Sequence, residues 1–182
     1  PYHAIKTALP VLIPGSTALV IGVGGLGHMA VQILREMCAA TIIAADIDAD
    51  KLKHADALGA HHCIDSSDAE AADAIRDLAG PRGLTGGLDF VGAQPTVDLA
   101  KKVVGRNGRI AIVGLAGGVL HYAPNDPAYG TQVSVPYWGT RTELMEVIAM
   151  AATGRIKAAV ETHPLDQANR VYDKLRDGKV PG

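Results

Sequence analysis

Gly22, Gly24 and Gly27 fall in Gly-x-Gly-x-x-Gly spacing between the apolar run Ala18-Leu-Val-Ile21 and a segment whose apolar residues recur with helical period. On a strand-to-helix turn this spacing suits the close approach of a pyrophosphate. Gly22 makes the turn, Gly24 admits the phosphates to the backbone, and Gly27 lets the helix press against the sheet. The free N–H groups and positive end of that helix then face the phosphate charge. About 20 residues further on, where such a fold places a ribose-binding acid, Asp46 closes the run Ile42-Ile-Ala-Ala45. Its carboxylate would accept hydrogen bonds from adenosine ribose hydroxyls and repel a 2′-phosphate. The alternative task for Asp46 is to cap the helix that begins near Asp48.

Other constellations carry less. Asp46, Asp48 and Asp50 imitate the opening of a calcium loop, but that loop needs glycine at its sixth position and glutamate at its twelfth. Lys51 and Ala57 stand there. His61, His62 and Cys63 are adjacent, so on a strand at most two share a face, and no third or fourth ligand follows. They read as sheet-edge residues. His28 is assigned to the polar face of the glycine-loop helix. His3, His54, His121 and His163 have no evident partners, and no Ser/His/Asp or Cys/His arrangement is visible. No catalytic or metal-ligating residue is therefore assigned within the chain.

The elements that must position these residues alternate regularly. Strands are expected at Ala18–Ile21, fully buried, then at Thr41–Ala45, Cys63–Ile64, a weak one, Leu88–Val91, Arg109–Val113 and Gln132–Val135. Between them, Leu26, Met29, Ala30, Ile33, Leu34 and Met37 share one helical face, and Lys51 to Leu58 form a short helix ended by Gly59. Ser67-x-x-Glu70 has the pattern of a capping box. Pro95 suits a first helical turn, and a further helix is expected from Arg141 to about Ala152. Asn107-Gly108 is expected to turn the chain into the fifth strand. Strands separated by helices make βαβ units, hence an α/β fold: a doubly wound parallel six-stranded Rossmann sheet of order 3-2-1-4-5-6. The first dozen residues and the last thirty are expected to lie outside the sheet and to belong to something larger.

Of the 182 residues, 48% are hydrophobic and 20% charged, with a net charge of −2, the balance of a globular protein. With no basic stripe and only 4% aromatics, nucleic acid is not expected as a partner. Pro10, Pro14 and the glycines break the longest apolar stretch, so no membrane span is expected. No basic leader with a cleavage site opens the chain. Cys38 and Cys63 read as small buried hydrophobes in a reducing compartment, and the cytoplasm is the expected location.

The motifs Gly22-Val-Gly-Gly-Leu-Gly-His-Met-Ala-Val-Gln32, Ala44-Ala-Asp-Ile-Asp48, Asp89-Phe-Val-Gly92, Ile112-Val-Gly114, Tyr137-Trp-Gly-Thr-Arg141 and Asp173-Lys-Leu-Arg-Asp-Gly178 follow one another over essentially the whole chain. In that order they resemble the medium-chain zinc-dependent alcohol dehydrogenases, closest to the bacterial secondary-alcohol type. The resemblance implies NAD as cofactor, held by Gly22, Gly24, Gly25, Leu26, Gly27, Asp46, Ile47, Lys51, Phe90, Val91, Val113, Gly114, Leu115 and Trp138. It implies that Leu26 packs behind the nicotinamide and that Lys51 reaches the ribose beside Asp46. Phe90 and Val91 would line the wall near the cofactor, while backbone groups at Val113, Leu115 and Trp138 hold the nicotinamide end. For Leu26, Phe90, Val91 and Val113 plain core packing is the competing reading.

That family carries its zinc ligands on a mostly β catalytic domain preceding this segment, so zinc is expected only in a full-length protein. Residues 1–182 are then the NAD-binding domain, with 154–182 packing toward the other domain, and hydride transfer to a small alcohol or ketone is not expected from this part alone. A homo-oligomer is expected, with the sixth strand at the sheet edge free to pair with a copy of itself. The competing readings are a zinc-free quinone or enoyl reductase of the same superfamily, against which Asp46 counts, a non-catalytic nucleotide-binding module, and a methyltransferase.

Overall fold

The computed structural model describes residues 1–178 and Val180; residues 179, 181 and 182 of the expected C-terminal segment lie outside the described residues. Six strands form one parallel sheet: β1 (Thr17–Ile21), β2 (Thr41–Asp46), β3 (His62–Asp65), β4 (Leu84–Asp89), β5 (Val104–Ile112) and β6 (Gln132–Ser134). Their order in space is β3-β2-β1-β4-β5-β6, as the alternation of elements predicts. Val20 pairs with Ala44 of β2 on one side and Leu88 of β4 on the other. The winding direction reverses between β1 and β4, so a crevice opens beyond the carboxyl ends of these two strands.

β1 reads as an unbroken apolar run because both of its faces are buried. Ala18 and Val20 join a core with Ile5 of α1 (Tyr2–Ala8) and Ile33 and Leu34 of α2 (Gly27–Met37). Leu19 and Ile21 join the opposite core, with Ile75 of α4 (Ala71–Ala79) and Ala100 of α5 (Gln94–Val103). α3 (Ala49–Ala57) lies between β2 and β3. α6 (Arg141–Ala152) packs Val147 and Met150 on the first core, and α7 (Ala168–Arg176) buries no residue. No helix among the described residues is long and apolar enough to cross a membrane.

Several local expectations are corrected. Ser67 and Glu70 form no capping box. Asp65 Oδ1 accepts from Ser67 N–H, Asp68 Oδ1 accepts from Glu70 N–H, and α4 starts only at Ala71, without a side-chain cap. β4 begins four residues earlier than its β-branched content suggests and ends at Asp89, because pairing of Gly86 with Ala18 overrides the low strand preference of glycine. β5 runs through Asn107-Gly108 instead of starting after it, with a register shift between Leu84 and Gly86 on its neighbour. The opening residues belong to this domain's own core: α1 buries Ala4, Ile5 and Ala8, and Arg109 Nη1 donates to Thr7 C=O at 2.5 Å.

Candidate functional site

The crevice is built from four strand ends tied to one another. Gly22 N–H donates to Ala45 C=O, and Phe90 N–H donates to Ile21 C=O. Val113 N–H and Gly114 N–H both donate to Asp89 C=O. A β-carbon on Gly22 would collide with the Val91 side chain, and one on Gly92 would collide with the Gly114 carbonyl. The turns after β1, β4 and β5 are therefore in direct contact.

The three fingerprint glycines differ physically. Gly22 has φ +83°, the left-handed region where only glycine is unstrained. A β-carbon on Gly27 would overlap the Gly22 carbonyl oxygen, so this glycine lets α2 close onto the turn that precedes it. Around Gly24 nothing lies within 4 Å of where a β-carbon would sit. The space beside its backbone is open, and the N-terminus of α2 faces it.

Asp46 ends β2 at 8% exposure. Its Oδ2 accepts from Val23 N–H in the glycine loop at 2.6 Å, and its Oδ1 accepts from Asp48 N–H at 3.0 Å. It is not the helix cap; that task falls to Asp48, whose Oδ1 accepts from Asp50 and Lys51 N–H. Those two amides, Lys51 first, hold the Asp48 carboxyl below the usual carboxylate range. An ionised carboxylate has about four acceptor positions, so Asp46 can fix the loop and still accept from a ligand at the crevice.

The remaining candidates divide. Phe90 and Val113 are half-buried and pack against the first core, Val91 lies on Gly22, and Lys51 sits in the first turn of α3 behind Asp48. Gly25, Leu26 and Ile47 are exposed around the loop. Leu115 and Trp138 are 84% and 78% exposed, and Trp138 adopts φ +59°, so neither is held against the other candidates.

Two side chains have positioning tasks that were not assigned from the sequence. Asp89, at 0% exposure, accepts from Val91 N–H and Gly92 N–H through Oδ1 and from the Thr96 hydroxyl through Oδ2, each at 2.9 Å. It fixes the turn that forms the far wall of the crevice. The signal for it was the one used for Asp46: an acid closing an apolar strand. Glu143 does similar work in the turn that leads into α6. It accepts from Thr140 N–H at 2.7 Å and pairs with His3 Nδ1 at 2.9 Å.

The bond from His3, with that from the Thr140 amide, holds the Glu143 carboxyl down to about 2, from an ordinary value of 4.5. A carboxyl depressed in the folded state adds stability above its unfolded value and loses it as pH falls toward the folded one. Glu143→Gln is therefore expected to destabilise the domain at pH 6 and to flatten the loss of stability between about pH 4.5 and 2. Urea denaturation at several pH values measures this; parallel pH profiles for the two proteins would contradict the role.

A family model described as zinc-binding dehydrogenase matches residues 25–153. The NAD-dependent alcohol dehydrogenase of Saccharolobus solfataricus is 31% identical over 184 residues, covering 100% of this chain and 52% of its own length. The alcohol dehydrogenase of the archaeon Aeropyrum pernix superposes with a TM-score of 0.93 at 38% identity, over 100% of this chain and 52% of that one. The acetophenone reductase of Geotrichum candidum, solved in complex with NAD, gives 0.81 at 31% identity over 99% and 50%. The chain spans about half the length of these relatives. With a family match over most of its residues and the sheet order those residues predict, the chain belongs to the zinc-binding dehydrogenase family.

Proposed function

We propose that this chain is the NAD-binding half of an alcohol dehydrogenase and that its own work is to bind and orient the dinucleotide. The observation that carries the reading is Asp46, at the end of β2, holding the glycine loop by Val23 N–H with acceptor capacity to spare. The pyrophosphate would lie over Gly24 and Gly25 at the N-terminus of α2, beside the open space at Gly24. The adenosine ribose would donate to Asp46, with Ile47 and Lys51 beside it. The nicotinamide would reach past Leu26, Phe90 and Val91 toward Val113, Gly114, Leu115 and Trp138.

NAD, when bound, supplies the hydride acceptor. Asp89 holds the wall against which the ring is oriented, and Glu143 supports the backbone before α6. Among the described residues no group of three or more His, Cys, Asp or Glu could hold a metal ion, so zinc does not fit this part of the molecule. Binding is therefore the activity to measure on this chain. The small alcohol or ketone substrate, a homo-oligomer through the open edge of β6 and a cytoplasmic location belong to the same proposal for the whole protein.

Asp46→Ala tests the reading. Loss of hydrogen bonds to a charged group costs about 1.5–3 kcal/mol, roughly ten- to a hundredfold in affinity. Calorimetric titration with NADH is expected to show that loss, and an unchanged affinity would remove Asp46 from the site.

A further inference from the structure

Away from the crevice, the segment that follows α6 lies against α2 and is held by hydrogen bonds to two of its side chains. Gln32 Nε2 donates to Lys157 C=O at 3.1 Å, and its Oε1 accepts from Lys157 N–H at 2.8 Å. One turn nearer the glycine loop, His28 Nε2 accepts from Ala159 N–H at 3.2 Å, while its Nδ1 lies 3.0 Å from Gly24 C=O. Facing a carbonyl on one side and an N–H on the other, the ring donates through Nδ1 and accepts through Nε2. His28 is 3% exposed, so the polar face expected for it is covered by this strap.

The Gly24 carbonyl also accepts from His28 N–H at 3.1 Å. In a planar trans peptide the C=O of one residue and the N–H of the next point in opposite directions. Holding Gly24 C=O into the helix therefore turns Gly25 N–H outward, toward the phosphate position. One imidazole thus sets the amide that would meet the ligand and grips the strap. Beyond it, Val160 and Leu165 are exposed.

We propose that His28 is a positioning residue that couples the strap, residues 155–159, to pyrophosphate binding. The proposal rests on reading the crevice as the NAD site. Coupling between two sites is reciprocal: a pyrophosphate at the loop stiffens the strap, and a loosened strap weakens the pyrophosphate.

The test is amide hydrogen exchange at Ala159 with and without ADP, which carries the diphosphate and no nicotinamide, in the wild type and in His28→Phe, which keeps the bulk. Saturating ADP is expected to slow Ala159 exchange about fivefold or more in the wild type and not in the variant. His28→Phe should also bind ADP and NAD+ at least about fivefold more weakly, with adenosine affinity unchanged. Should His28→Phe fail to fold, Gln32→Leu cuts the strap at Lys157 without touching the loop; it should speed Ala159 exchange and weaken ADP. Wild-type exchange indifferent to bound ADP, equal slowing in His28→Phe, or full ADP affinity in Gln32→Leu overturns the coupling. If neither ADP nor NAD+ binds the wild type, the reading of the crevice fails and the coupling with it; binding without the exchange response defeats the coupling alone.

Discussion

Gly24→Val is expected to abolish dinucleotide binding and to leave the domain folded. The two halves of this result have separate causes. Nothing lies within 4 Å of a β-carbon at Gly24, and its φ is not positive, so the folded chain accommodates the side chain. The stability change should stay near the ±0.5 kcal/mol of ordinary surface substitutions. On the proposed reading, the same open space is where the pyrophosphate would approach the backbone. An isopropyl group there separates the phosphates from the N-terminal amides of α2, and each charge-assisted bond lost costs about 1.5–3 kcal/mol. Two such bonds amount to a hundredfold or more in affinity. Substitutions at Gly22 or Gly27 are less informative, because a side chain there strikes Val91 or the Gly22 carbonyl and disturbs the fold itself. Normal NADH binding by a folded Gly24→Val protein would make the glycine loop structural only.

Asp89→Ala is expected to be strongly destabilising. Removing the carboxylate leaves Gly92 N–H without an acceptor where it is buried and Val91 N–H without one where it is partly buried. The Thr96 hydroxyl keeps a partner, since it also lies 2.9 Å from Ala93 C=O. Two orphaned amides at about 1–3 kcal/mol each give about 2–6 kcal/mol, a large part of the 5–15 kcal/mol typical of a whole domain. Asp89→Asn supplies the control. Its amide oxygen can accept from both N–H groups, and its NH2 can donate to the Thr96 oxygen, so most of the stability should return. Denaturant unfolding of both variants measures this, and equal losses would mean that the carboxyl position matters less than its charge.

The fold was legible because its central strands are buried on both faces and the helices packed on them on one. Ala18–Ile21 and Thr41–Ala45 are unbroken apolar runs, and α2 presents Ala30, Ile33 and Leu34 to the sheet at helical spacing. The strand-turn-helix carrying the glycine loop, and the place of Asp46 at the end of β2, were legible because residue types recur there at fixed distances along the chain. What was not legible depends on contacts remote in sequence. His28 reads as a polar helix residue because Ala159, 131 residues away, is invisible to local periodicity. β4 hides its start in Leu84-Thr-Gly-Gly87, where pairing with β1 decides the conformation. Asp89 stood in the recognised motif, but the amides it accepts from are shown only by the folded turn. Asp46 also does more than its spacing suggests, since it fastens the loop beneath the expected phosphates before any ligand arrives.

The most direct test of the central claim is calorimetric titration of the unmodified chain with NAD+ and with NADP+. Asp46 closes β2 where the adenosine ribose would lie, and a 2′-phosphate would meet its carboxylate as like charge at short range. NAD+ is expected to bind at least about tenfold more tightly than NADP+, a difference of about 1.4 kcal/mol. Equal affinities, or a preference for NADP+, would contradict the assignment of this crevice as an NAD site.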